Sequence, residues 1–260
     1  MSHPPPGHAR VWLVSPRTVS AERIRRLRAA VLSADERSRM DRLVFAEDRA
    51  HFAVAHALTR FALSGCSKGV APWRWRFAAG DHGRPEIASP PSWLRFNLSH
   101  TPGLVGCVVT GGQDCGLDVE RLPLRWRDLG PQVLSDGERD WVHAGADAPV
   151  RLIQAWTMKE AYTKARGMGM RLRFDECVFD LSRNPIRLVS HPPGGSAQWS
   201  FWQRRLPGHV VAVALGASRA TATLSLRRGT ANWNDWRAGF WRPADRGSAE
   251  SATPAASPRV

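Results

Sequence analysis

Two segments of this chain repeat each other 102 residues apart, and that repetition restricts the available folds more than any other feature. Leu32-Ser33-Ala34-Asp35-Glu36-Arg37 and Leu134-Ser135-Asp136-Gly137-Glu138-Arg139 both read as capping boxes. In each, a serine accepts from the amide three residues on while a glutamate reaches back. At the same spacing Arg49 matches Arg151, Ala53 matches Ala155, Gly65 matches Gly167 and Phe77 matches Phe179. With a small change of offset, 104–109 matches 209–214. A ladder of matches in one order argues for two copies of one unit. The expected architecture is α+β: two similar halves related by a pseudo-twofold axis, each a small sheet packed with helices, with a ligand cleft between them.

The elements expected in the first half are a strand at 10–14, a helix at 21–31 and a capped helix from Ser33 to about 44. A longer helix runs from about 47 and is stopped by Gly65. Trp73, Trp75 and Phe77 alternate as a strand, a turn follows at 81–85, and strands lie at 94–100 and 104–109. The expected boundaries are a flexible head at 1–9, a first half at 10–114, a second half at 115–226, and a largely disordered tail at 227–260. The last eighteen or so residues are Ala, Ser and Pro with few apolar side chains, too few to offset their ordering entropy.

Lysine occurs three times, yet two lysines and the sole tyrosine fall within Trp156-Thr157-Met158-Lys159-Glu160-Ala161-Tyr162-Thr163-Lys164-Ala165-Arg166-Gly167. At helical spacing Glu160 and Lys164 share a face. Alone, such a pair is a surface ion pair worth about 0.2–0.5 kcal/mol. A second carboxylate cluster changes its meaning. Gly116-Leu117-Asp118-Val119-Glu120 reads as a strand with Leu117 and Val119 on one side and Asp118 and Glu120 on the other. An isolated Asp-x-Glu is a solvated strand face. With Glu160 it becomes a set of hard oxygen ligands, which favours magnesium.

Other motifs are weaker. Ser99 and His100 point to opposite sides of an extended segment and no nucleophile elbow is present, which argues against a serine hydrolase. His100, beside a glycine turn, suits an anion contact or a hydrogen bond at a strand end. Gly167-Met168-Gly169 and Gly65-Cys66-Ser67-Lys68-Gly69 lack the context of a nucleotide loop and read as helix-terminating segments.

The net charge of +14 fits a polyanionic partner: nucleic acid, an anionic membrane, a phosphate-rich small molecule or an acidic protein. An arginine-rich proteome would produce it as well. Trp73-Arg74-Trp75-Arg76 could stack on bases, although core packing explains the tryptophans more economically. The four cysteines form no Cys-x-x-Cys pair, as expected of buried thiols in a reducing cytosol. No signal peptide or bilayer-length apolar run is present, so a cytoplasmic, soluble protein is expected.

Phe96-Asn97-Leu98-Ser99-His100, then Gly116-Leu117-Asp118-Val119-Glu120, then Trp156 to Lys164 closely resemble the signature of the Sfp-type 4′-phosphopantetheinyl transferases. Gly83-Arg84-Pro85 and Gly167-Met168-Gly169-Met170 resemble two further segments of that family, and the likeness spans 33–215. The resemblance implies transfer of 4′-phosphopantetheine from coenzyme A to a serine hydroxyl of an acyl or peptidyl carrier protein, with release of 3′,5′-ADP. It implies Mg2+ held by Asp118, Glu120 and Glu160, with Glu160 as base. Lys164 would contact the pyrophosphate and stabilise developing charge. Ser99, His100 and Arg84, with Arg39 and Arg42, would surround the 3′-phosphoadenosine end. Coenzyme A and an acidic carrier are the implied partners of a monomer that binds neither nucleic acid nor membrane. Two departures stand out: Arg84 replaces a common lysine, and Glu36 stands where some relatives carry a basic residue. The rival readings are a basic nucleic-acid-binding protein and a non-catalytic relative that binds coenzyme A or a carrier.

Overall fold

The structure, a computed structural model, describes residues 3–122, 133–194, 196, 198–217, 223–231, 241–243 and 249–252. Strand β1 (His8–Val14) leads into helices α1 (Ala21–Ala30), α2 (Ala34–Asp41) and α3 (Ala46–Cys66). A small hairpin, β2 (Arg76–Ala79) and β3 (Pro85–Ser89), precedes a longer one, β4 (Leu94–Thr101) and β5 (Leu104–Gly111). Strand β6 (Cys115–Arg121) opens a second series: α4 (Asp136–His143), α5 (Ala148–Arg166), the hairpin β7 (Val178–Asp180) and β8 (Arg187–Ser190), then the hairpin β9 (Ser200–Leu206) and β10 (His209–Leu215).

In the first series β5 lies between β1 and β4, antiparallel to both; in the second β10 lies between β6 and β9 in the same way. The two series therefore build one strand motif twice. Both capping boxes form, at Ser33 with Glu36 and at Ser135 with Glu138. The chain then crosses back. Strand β11 (Thr223–Ala231) runs parallel to β1, pairing His8 with Thr223 through Leu13 with Arg228. Short strands β12 (Trp241–Pro243) and β13 (Ala249–Ala252) pair with β11. The boundary expected after 226 thus falls inside a strand of the first sheet. Most of the tail expected to be disordered lies outside the described residues. Of the expected flexible head, 8–9 already belong to β1.

Strand alternation creates the layers. Val11 and Leu13 of β1 face a core shared with Leu117 and Val119 of β6 and Val211 and Val213 of β10, while Trp12 and Val14 face α1 and α3. The two sheets pack face to face and the helices cover the outer faces. Ala212 and Ala214, on the outer face of β10, contact Met158, Ala161 and Tyr162 of α5. Small strand residues let this helix lie close. No helix among the described residues is long and apolar enough to cross a membrane.

Three local expectations are corrected. Gly65 is inside α3, which runs one residue further, and the left-handed glycine that follows is Gly69 (φ 81°). Helix α2 stops at Asp41; Arg49 reaches back to the carbonyls of Leu43 and Val44 (2.7 and 2.9 Å) and holds the connection as a turn. Trp73 and Trp75 do not alternate in a strand, because Pro72 begins a 3-10 turn through Arg74. Trp75 is fully buried with its indole N–H donating to Ser64 Oγ (2.9 Å), so it cannot stack on a base.

Each capping glutamate also anchors a buried cation. Glu36 pairs with Arg60 (2.8 Å), which is 1 % exposed and donates to the Trp75 carbonyl (2.6 Å). Glu138 pairs with Lys159 (2.6 Å), a lysine with no exposure, which donates to the Phe174 carbonyl (2.7 Å). Burial alone would raise the Glu36 carboxyl, but the hydrogen bond to His56 and the Arg60 charge outweigh it and bring it down to about 2. A depressed folded-state value stabilises above the unfolded value, and that contribution disappears as pH falls towards the folded one. E36Q is therefore expected to destabilise by about 2–3 kcal/mol at pH 7. In urea denaturation the gap between variant and parent should close as pH drops from about 4.5 towards 2; a gap independent of pH would show that charge is not its source.

Candidate active site

Strand β4 is one edge of the first sheet and β6 one edge of the second. Along this seam, side chains of β4 take up amides of β6: Leu117 N–H donates to Asn97 Oδ1 (3.0 Å) and Val119 N–H to Ser99 Oγ (3.3 Å). Helix α5 crosses β6 at Gly116. A Cβ there would collide with the carbonyl oxygen of Ala161 and lie 2.5 Å from the amide nitrogen of Ala165. Backbone meets backbone at this point, which brings Asp118 and Lys164 into direct contact.

Lys164 Nζ donates to Asp118 Oδ1 (2.5 Å) and to Ser99 Oγ (3.1 Å), and the Ser99 hydroxyl donates to Asp118 Oδ1 (2.9 Å). Asp118 is 3 % exposed, and its Oδ2 is buried without a partner among the described residues. Glu120 accepts from the Trp156 indole N–H (3.0 Å). Burial first, and then the Asp118 charge, push the Glu120 carboxyl up to about 7 against the pull of Trp156 and Lys164. Glu160 is raised by the same two causes, with Lys164 opposing. Trp156, Glu160 and Lys164 occupy one face of α5 at four-residue intervals.

Asp118, Glu120 and Glu160 thus influence one another, but among the described residues no three His, Cys, Asp or Glu side chains already enclose an ion site. Asp118 is turned to Lys164 and Ser99, and Glu120 to Trp156. The donor set nevertheless fits magnesium. It consists of hard oxygens, it includes an orphaned buried carboxylate oxygen, and two of its carboxyls are raised by burial and by the Asp118 charge.

A cavity of ≈ 390 Å³ opens between the halves. It brings together Arg39, Arg84, His100 and Lys164, with Phe52 and His56 of α3 beside them. Its wall at His82 and Gly83 has left-handed backbone (φ 62° and 79°), unusual for a histidine and found mostly where surrounding structure enforces it. Desolvation by the cleft walls, then His51 and Lys164, hold the His100 imidazole below its ordinary value. A larger groove of ≈ 780 Å³ adjoins and shares Arg39 and His56.

Three expected ligand contacts take other positions. Ser99 faces β6, not the cavity, and its hydroxyl is engaged by Asp118, Lys164 and Val119. Arg42 does not line either cavity and donates to Ser38 Oγ (3.1 Å). Arg84 lines the cavity, but its guanidinium donates to the carbonyls of Ala165 (3.1 Å) and Cys115 (3.4 Å), close to where α5 ends at the left-handed Gly167. Four participants were not foreseen: Asn97, Trp156, Phe52 and His56. Asn97 stands two residues before Ser99 in a strand and Trp156 four before Glu160 in a helix, so periodicity could have singled out both.

The family model for the 4′-phosphopantetheinyl transferase superfamily matches residues 114–214. The chain is 33 % identical over 171 residues to the 4′-phosphopantetheinyl transferase HetI of Nostoc sp., covering 63 % of this chain and 71 % of that protein. It is 28 % identical over 180 residues to the 4′-phosphopantetheinyl transferase of Bacillus subtilis, covering 68 % and 79 %. A holo-(acyl-carrier-protein) synthase structure from Bacillus anthracis, in complex with CoA (3′,5′-ADP), aligns with TM-score 0.34 at 19 % identity over 39 % of this chain and 93 % of that one. The chain belongs to the 4′-phosphopantetheinyl transferase superfamily.

Because Gly116 sets the spacing of β6 and α5, G116A is expected to force the helix away from the strand. The variant should lose about 1–3 kcal/mol of stability, by overpacking. Its remaining folded fraction should be far less active than the parent. Full activity in a folded G116A protein would show that the Asp118–Lys164 contact is not required.

Proposed function

We propose that the protein transfers 4′-phosphopantetheine from coenzyme A to a serine hydroxyl of an acyl or peptidyl carrier protein and releases 3′,5′-ADP. The observation that carries this reading is the Asp118–Ser99–Lys164 contact at the seam, flanked by Glu120 and Glu160 and opening on a cationic cavity. The two strand series are taken as copies about a pseudo-twofold axis, with coenzyme A in the cavity between them. The protein acts as a single chain in the cytoplasm, a compartment suited to its four free, buried cysteines.

Asp118, Glu120 and Glu160 would hold Mg2+, which when bound supplies positive charge to the phosphoryl oxygens. Lys164 meets the diphosphate from the cavity side and stabilises charge that develops on the bridging and leaving oxygens. Glu160, directly or through a water, takes the proton from the carrier serine. The serine oxygen forms a bond to the β-phosphorus as the bond from that phosphorus to the bridging oxygen breaks. The bridging oxygen leaves with 3′,5′-ADP. Such phosphoryl transfer asks for positioning and electrostatics rather than a covalent intermediate.

Incubation of an apo carrier with this protein, coenzyme A and magnesium should add one phosphopantetheine group by intact-protein mass spectrometry, and chelation should prevent it. E160Q should fold normally and lose about 10²- to 10⁴-fold in rate. Undiminished transfer by E160Q would remove Glu160 from the mechanism. The surplus of positive charge predicts that KM for an acidic carrier rises with ionic strength; a KM indifferent to salt would argue against steering by charge.

A further inference from the structure

Glu36, the capping carboxylate of α2, is engaged through both oxygens. Its Oε2 accepts from Arg60 Nε (3.1 Å), Arg60 Nη2 (2.8 Å) and the Ser33 amide (2.8 Å), while Oε1 meets His56 Nδ1 (2.9 Å). The carboxylate is 6 % exposed and directed inward. His56 is different. Its side chain is 20 % exposed, it lines both the ≈ 390 Å³ cavity and the ≈ 780 Å³ groove, and its Nε2 has no hydrogen-bond partner among the described residues.

The ring is fixed on two sides. Glu36 holds Nδ1, and Phe52, one turn earlier on α3, stacks on the imidazole with centroids 4.1 Å apart and planes at 26°. Arg39 lies over the same Phe52 ring at 5.5 Å. The cavity therefore has a preformed wall of Arg39, Phe52 and His56. Lys164, His100, Arg39, His82 and Arg84 belong to the same cavity, Asp35, Glu36, Arg37, Arg60 and Arg76 line the adjoining groove with His56, and Asp48 and His51 act on His100. With Nδ1–H directed at the Glu36 carboxylate, Nε2 donates when the ring is charged, and an anion placed there receives that hydrogen bond.

We propose that His56, oriented by Glu36 and Phe52, is a binding residue for the phosphate monoester of coenzyme A and sets the preference for coenzyme A over its dephospho form. The inference rests on the function proposed above. If the diphosphate lies at Lys164, the remaining phosphate of coenzyme A is the monoester, and the preformed wall of Arg39, Phe52 and His56 is placed to receive it. Glu36 then serves to fix the ring that borders the cavity.

Calorimetric titration of the full chain with coenzyme A and with dephospho-coenzyme A, without a carrier, tests this directly. The parent should prefer coenzyme A. H56Q should weaken coenzyme A binding about ten- to a hundredfold, the range for a hydrogen bond to a charged group, and leave dephospho-coenzyme A binding unchanged. H56R, which restores a permanent cation, should recover part of the preference. Equal weakening of both ligands by H56Q, or an undiminished preference in H56Q, would overturn the proposal. If the parent chain bound neither ligand, the transferase reading would fail first; if it bound both and H56Q still discriminated, this inference alone would fail.

Discussion

The backbone contact between β6 and α5 at Gly116 is the constraint on which the site depends. Any side chain at that position would push α5 off the sheet, and Ala212 and Ala214 on the next strand keep the approach close. One pleat beyond Gly116, Asp118 points at the helix, where Lys164 meets it within hydrogen-bonding distance. A buried carboxylate is costly unless paired and hydrogen-bonded, and here Lys164 and Ser99 provide for one oxygen while the other has no partner among the described residues. The site is thus held under electrostatic tension by packing. Asp118, Glu120 and Glu160 influence one another because Gly116 and the two alanines let strand and helix come this close.

The two halves share a polar joint and use it differently. In each, a capping glutamate holds a buried cation from the long helix, and that cation donates to a carbonyl in the segment that follows the helix. The cations come from non-equivalent positions, since Arg60 corresponds by the 102-residue offset to Tyr162 and not to Lys159. In the second half the joint is closed: Lys159 is fully enclosed, and Glu138 uses its other oxygen on the Phe179 amide (2.9 Å). In the first half the corresponding oxygen of Glu36 holds His56 at a cavity wall. One half thus uses the joint for packing alone, and the other uses it to fix an imidazole at a cavity wall.

What could be read from the sequence was local. Both capping boxes, the alternation that turns Asp118 and Glu120 away from Leu117 and Val119, and the common face of Glu160 and Lys164 depend on short periods that a sequence displays directly. Pairings between distant segments were not visible. β11 returns to β1 across more than 200 residues, and nothing in its composition distinguishes that partner from another strand. The resemblance places Ser99 with His100 at the ligand, but strand alternation turns the two to opposite faces, and Ser99 serves the seam. Arg42 caps the end of α2 and turns back to Ser38, whereas Arg39, three residues earlier, lines the cavity.

The rarity of lysine explains itself at the seam. In a chain that uses arginine almost everywhere, position 164 requires a compact cation whose donors can diverge: one reaches an aspartate oxygen, another a serine hydroxyl, and the side chain still borders the cavity. A planar guanidinium offers a fixed fork suited to two oxygens of one carboxylate, whereas here one cation serves an aspartate oxygen and a serine hydroxyl. Lys164 also joins two regions of opposite sign. On one side are Asp118, Glu120 and Glu160; on the other are Arg39, His56 and His100. A ligand with an anionic group at each end of a short spacer would be oriented by that gradient, one phosphate placed where cations are fixed in the fold and the other where charge balance calls for an added cation.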